Sequence, residues 1–161
     1  MKLRPQKDTI LYGDCRDTIP TIHERVQMCV TSPPYYGLRD YGGESSQIGQ
    51  EQTPEEYIEE LVKVFREVKN VLADDGTLWI NIGDSYYNYR PGKGQSYPKQ
   101  TVSKTKQDLP DKCNKRGNKL QGLKEKDLIG IPWLLAFALR KDGWYLRQDI
   151  IWHKPNPMPE S

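Results

Sequence analysis

The spacing of apolar and polar positions changes period several times along the chain, and each change marks an element. Thr9-Ile10-Leu11-Tyr12 is a short apolar run stopped by Gly13-Asp14, which predicts a strand followed by a turn. Gln27 to Thr31 gives a second strand of the same kind. From Pro54 the period lengthens: Tyr57, Leu61, Val64, Phe65, Val68 and Leu72 recur at helical spacing. Thr53 is placed to cap this helix, Pro54 suits its first turn, and Glu55-Glu56 lie near its positive end. Asp74-Asp75-Gly76 reads as the stop, and Thr77-Leu78-Trp79-Ile80-Asn81-Ile82 as a third strand running into Gly83-Asp84. A strand, a helix and a strand in this order imply parallel pairing through a right-handed crossover. A last helical pattern runs from Leu128 to Leu139, with Pro132 in its first turns and Lys141-Asp142-Gly143 closing it. Trp144 to Trp152 alternates loosely and leads into His153-Lys154-Pro155.

Composition narrows the class. At 161 residues the chain has the length of one domain. No apolar run approaches the roughly 20 residues of a membrane helix, and Met1-Lys2-Leu3-Arg4-Pro5 has no signal-peptide pattern, so the default expectation is a cytoplasmic protein. Cys15, Cys29 and Cys113 are scattered and form no CxxC, which suggests neither a disulfide framework nor a metal site. The net charge of +2 is modest but uneven: between Ser85 and Asp127, eleven Lys and Arg stand against four Asp and Glu, leaving the rest of the chain acidic. This basic insert, about 85–126, is long and poor in aliphatics, so it is expected to be disordered alone or ordered by a ligand. It reads either as a surface for phosphates or as a solvated loop. Its Gly92-Lys93-Gly94 lacks the preceding strand and following helix of a phosphate-binding loop.

Candidate chemistry lies at Thr31-Ser32-Pro33-Pro34-Tyr35-Tyr36, where the second strand hands the chain to a loop. Open α/β sheets place their sites at such strand ends. Two prolines fix φ, remove two N–H donors and leave the carbonyls of Ser32 and Pro33 without a local competitor. The Ser32 hydroxyl and the flat face of Tyr35 stand beside them. Such a rigid, acceptor-rich ledge suits a planar group bearing an amine, such as a nucleobase.

Ser-Pro-Pro-Tyr, and the longer TSPPYYGLRDY from Thr31 to Tyr41, resemble motif IV of the DNA amino-methyltransferases, in the subgroup whose cofactor motif comes late. Further segments match that family in order: Ile10 to Asp14 resembles its motif III strand, and Gly130-Ile131-Pro132-Trp133 and Asp149-Ile150-Ile151-Trp152-His153-Lys154-Pro155 resemble later motifs. The resemblance implies a Rossmann-like class I methyltransferase α/β sheet with helices on both faces. It implies methyl transfer from S-adenosylmethionine to the exocyclic amine of a base in double-stranded DNA, within a restriction-modification setting. Ser32, Pro33, Pro34 and Tyr35 would be catalytic, and Asp14 and Thr31 would face the cofactor. Asp14 reads equally as a turn aspartate, and Arg39 with Asp40 equally as a surface pair. Tyr36, Arg39, Lys93, Lys99, Lys115 and Arg116 would contact DNA. Serine at position 32 favours cytosine N4, with adenine N6 the alternative.

The glycine-rich motif I of that subgroup, Phe-x-Gly-x-Gly, does not occur in the sequence. The expectation is therefore an N-terminal portion, residues 1–161 forming a partial catalytic domain whose sheet lacks the motif I strands. That would leave either a gap beside Met28-Cys29-Val30 or a non-native pairing with Ile10-Leu11-Tyr12. A C-terminal complementing fragment is then an expected partner. A reading of another class, a non-catalytic DNA-binding fragment or a degenerate gene product, fits the same absence.

Overall fold

The computed structural model describes residues 8–38, 47–87, 120 and 122–156. Its elements are α1 (Cys15–Thr18), a 3-10 turn (Ile19–Thr21), β1 (Val26–Thr31), α2 (Pro54–Val71), β2 (Leu72–Ile80) and α3 (Ile131–Lys141). β1 and β2 pair in parallel as a two-stranded sheet, the pairing that the strand, helix, strand order predicts.

Local chemistry defines both ends of α2. The Thr53 hydroxyl accepts the Glu56 N–H at 3.2 Å, and the Glu56 carboxylate accepts the Thr53 N–H at 3.3 Å, a reciprocal capping box. At the other end the Arg25 guanidinium donates to the carbonyls of Asn70 and Leu72, both at 2.8 Å. The inward face of α2 buries Tyr57, Leu61, Phe65 and Val68 against Ile131, Leu135 and Leu139, which recur every four residues along α3. Val26 and Cys29 from β1, with Leu78 and Ile80 from β2, close this single core.

The structure departs from the sequence pattern at several places. Thr9 to Tyr12 forms no strand: Ile10 is 74 % exposed and Tyr12 87 %. A strand exists only through a ladder of backbone hydrogen bonds to a neighbouring strand, and among the described residues no strand pairs with this run, so of the two alternatives the non-native pairing is not formed. Asp74-Asp75-Gly76 does not separate two elements but lies inside β2. There the register jumps from Val26 opposite Leu72 to Met28 opposite Thr77, and the surplus residues bulge out. Gly76 belongs to that bulge, since a Cβ would come within 2.9 Å of the Ala73 carbonyl oxygen. The last helix starts at Ile131 rather than Leu128, because Gly130 adopts φ 87° at its N-terminus while Leu128 bridges Tyr86. Trp144 to Trp152 carries no strand, and Tyr145, Ile151 and Trp152 are exposed.

Among the described residues the helices pack on the face of the sheet carrying Cys29, Leu78 and Ile80. Met28, Val30 and Trp79, alternating with them, stay 57 %, 69 % and 46 % exposed. One crossover helix can cover only one face, so helices on both faces are not found among the described residues. No helix among these residues is long and apolar enough to cross a membrane.

Candidate active site

The proline ledge begins where β1 ends. Thr31 is half-buried opposite Ile80, and its carbonyl accepts the Asn81 N–H at 2.9 Å, which ties the start of the loop to the end of β2. Ser32 is exposed, and among the described residues neither its hydroxyl nor the Pro33 carbonyl has a hydrogen-bond partner. Pro34 differs: its carbonyl accepts the Tyr57 hydroxyl of α2 at 2.7 Å. Among the described residues two adjacent acceptors are thus open while the next already holds a hydrogen bond.

Tyr35 is half-buried with its ring lying on Gly83. A Cβ at Gly83 would stand 3.0 Å from Cε2, 3.5 Å from Cδ2 and 3.7 Å from Cζ of that ring. Gly49 closes on the backbone from another side: at φ 95°, a Cβ there would meet the Tyr35 carbonyl oxygen at 3.0 Å. The Gly49 carbonyl accepts the Gly37 N–H at 2.9 Å, which pins the turn after the ledge.

Tyr36 turns inward. Its ring meets Tyr57 at 5.5 Å between centroids, its hydroxyl donates to the Gln52 carbonyl at 3.2 Å, and its own carbonyl accepts the Ser85 hydroxyl at 3.2 Å. Burial, with Glu55, Glu51 and Glu56 nearby, pushes the Tyr36 phenol up to about 12, and burial also raises Tyr57. Both hydroxyls therefore remain neutral donors at physiological pH.

The loop leaving β2 is braced in turn. The Asp84 carboxylate accepts the N–H groups of Ser85 at 2.9 Å, Gly130 at 3.0 Å and Ile131 at 3.0 Å. Gly130 has no side chain with which to cap α3, and Asp84 does so from another element. Beyond it the two ends of the basic insert meet. Tyr86 bridges Leu128, and Tyr87 exchanges hydrogen bonds of 2.8 Å with Lys126 and Asp127. The described ends of the insert are therefore paired, and Ser85 joins them to the ledge.

Asp14 lies in a different setting. It caps α1, accepting the Arg16 N–H at 2.8 Å, and pairs with the Arg16 guanidinium, which also reaches Glu60 on α2 at 3.4 Å. That guanidinium holds the Asp14 carboxyl down at about 2. No hydrogen bond or ion pair joins Asp14 to the ledge among the described residues. Arg39, Lys93, Lys99, Lys115 and Arg116 lie outside the described residues. Within those residues no group of three His, Cys, Asp or Glu could hold a metal ion. An open cleft of about 450 Å³, lined by residues including Arg140, Trp144 and Arg147, shares no residue with the ledge.

Sequence reasoning missed Tyr57, Gly83, Asp84 and Gly49. Tyr57 fitted the apolar helical period, and Gly83-Asp84 resembled a strand terminator. Both signals are local, whereas the contacts span 23 residues from Tyr57 to Pro34 and 46 from Asp84 to Gly130.

A family model described as a DNA methylase matches residues 26–161. The chain is 49 % identical over 158 residues to the Type II methyltransferase M.SmaI of Serratia marcescens, covering 94 % of this chain and 49 % of that protein. It is 48 % identical over 154 residues to M.Cfr9I of Citrobacter freundii, with 95 % and 48 % covered. It is also 48 % identical over 165 residues to M.XycI of Xanthomonas campestris pv. cyanopsidis, with 99 % and 52 % covered. The chain spans about half the length of these curated relatives. No solved structure matches.

Proposed function

The chain belongs to the N6/N4 family of DNA methylases, and on that premise we propose that it carries the base-holding portion of a site-specific DNA methyltransferase, with cytosine N4 the favoured target. The observation that carries this is the pair of open acceptors, the Ser32 hydroxyl and the Pro33 carbonyl, beside the Tyr35 ring seated on Gly83. An exocyclic amine is a poor nucleophile because its lone pair is delocalised into the base. Two acceptors that take its two hydrogens draw the nitrogen toward tetrahedral geometry and free the lone pair for attack. Positioning and electrostatics would provide the acceleration, with no covalent enzyme intermediate.

The base must leave the duplex to reach the ledge, at a cost of a few kcal/mol. Stacking on Tyr35 would return roughly 1–3 kcal/mol of that. The insert, with eleven cationic side chains between Ser85 and Asp127, has its paired ends beside Tyr36 and is proposed to meet the phosphates around the extruded base. Lys93, Lys99, Lys115 and Arg116 are its candidate contacts, together with Arg39, which follows the ledge in sequence.

S-adenosylmethionine is the proposed methyl donor. The described residues do not by themselves form its cradle, since the Asp14 carboxylate is taken by Arg16 and the α1 N-terminus, and the sequence has no Phe-x-Gly-x-Gly turn. The open edge of β1 and the exposed Met28, Val30 and Trp79 fit completion by a segment that adds strands and an apolar helix, forming a Rossmann-like sheet.

Plasmid DNA incubated with S-adenosylmethionine, the chain and the C-terminal half of the M.SmaI relative, followed by nucleoside mass spectrometry, tests the proposal. N4-methylcytosine is expected with both pieces and little product from the chain alone. N6-methyladenine would move the target to adenine. A folded complex that yields neither product would overturn the reading.

A further inference from the structure

Resting on the methyl-transfer reading, we infer that Tyr57 is a positioning residue for the reaction: its hydroxyl bonds the Pro34 carbonyl, which makes that oxygen the poorer acceptor and holds the ledge so that the amine meets the Ser32 hydroxyl and the Pro33 carbonyl. Ser32, Pro33 and Pro34 offer acceptors in succession, but an exocyclic amine has only two hydrogens. Without a competitor at Pro34, the amine could settle one position along the ledge, on the two proline carbonyls, with its lone pair misdirected. The 2.7 Å bond from Tyr57 takes one of the two lone pairs of that carbonyl and crowds the other, which disfavours that alternative.

The same bond has a second effect. The Pro34 carbonyl and the Tyr35 N–H share one rigid peptide plane, so holding that oxygen fixes the plane from which the Tyr35 side chain departs. With the proline φ values locked, rotation about ψ is the main backbone freedom left in the ledge, and Tyr57 restrains it at Pro34. Tyr57 suits this task because it is itself immobilised: it is fully buried, sits in the first turns of α2 behind the capping box, and packs on Tyr36. The hydroxyl thus links the rigid core to the reacting edge. A buried tyrosine that merely needed a partner could use any carbonyl, but this one takes the acceptor next to the open pair.

Methyl-transfer kinetics of the complemented enzyme test this with Ser32→Ala and Tyr57→Phe, each rate divided by the folded fraction. Tyr57→Phe keeps the ring in the core and should lower kcat roughly 10- to 100-fold, the scale of a misplaced reactant, with KM for DNA unchanged. A large loss in Ser32→Ala beside a wild-type rate in Tyr57→Phe would overturn this inference alone. Wild-type rates in both would overturn the function reading and this inference with it. Should Tyr57→Phe not fold, 3-fluorotyrosine at position 57 retains the donor and reports on it. Its fluorine resonance should shift when cognate DNA fills the ledge, and a resonance indifferent to DNA would refute the coupling.

Discussion

A single Cβ separates the ledge as it stands from a displaced one at Gly83. Gly83→Ala would put a methyl 3.0 Å from the Tyr35 ring edge, so the ring must give by a few tenths of an ångström. In the complemented enzyme we expect methyl transfer to fall about 3- to 10-fold, since small misplacements at a reacting centre are costly. The thermal midpoint should barely move, because Gly83 is not at positive φ. Retention of the full rate would show that the seat of Tyr35 is immaterial. Tyr36 gives a pH prediction at the same scale. Its phenol ionises at about 12 when folded, against an ordinary value of 10.0. The unfolded chain therefore loses this proton first as pH rises. The stabilising contribution is complete below about pH 10 and disappears as pH climbs through about 12. Phenolate absorbance during alkaline titration should show a late-ionising tyrosine, and Tyr36→Phe should lessen the alkaline loss of stability.

At the scale of elements, α2 and α3 begin by different means. The cap of α2 is local, Thr53 with Glu56, and was legible in the sequence because all its parts lie within four positions. The cap of α3 comes from Asp84, far away in the chain, and serves a helix that opens with a glycine and a proline. Asp84→Ala would strand the Gly130 and Ile131 N–H groups and loosen the loop that carries Gly83 and Ser85. We expect a loss of about 1–2 kcal/mol, somewhat more than for Thr53→Ala, because the lost acceptor is partly buried and joins two elements. Denaturant melts of the two variants check the order, and an Asp84→Ala midpoint equal to wild type would show that α3 needs no cap from the loop after β2.

For the whole molecule, the exposed apolar side of the sheet determines behaviour in solution. Met28, Val30 and Trp79 lie together on it, and β1 offers an unpaired edge among the described residues. Such surfaces associate unless covered. The chain alone should sediment as concentration-dependent oligomers, Val30→Lys should suppress them, and a complementing fragment should replace them with a defined complex. A monomer at all concentrations would show that this face needs no cover. The parallel pairing of β1 with β2 and the capped start of α2 were determined by the sequence itself, because period and capping act over a few residues. The tertiary structure decided the rest. Thr9 to Tyr12 has strand composition but, among the described residues, pairs with no strand. Asp74-Asp75-Gly76 has turn composition but is absorbed as a bulge. Tyr57 has core spacing, yet its hydroxyl belongs to the ledge. In each case the deciding partner is brought near by packing rather than by sequence proximity, so no local pattern could announce it.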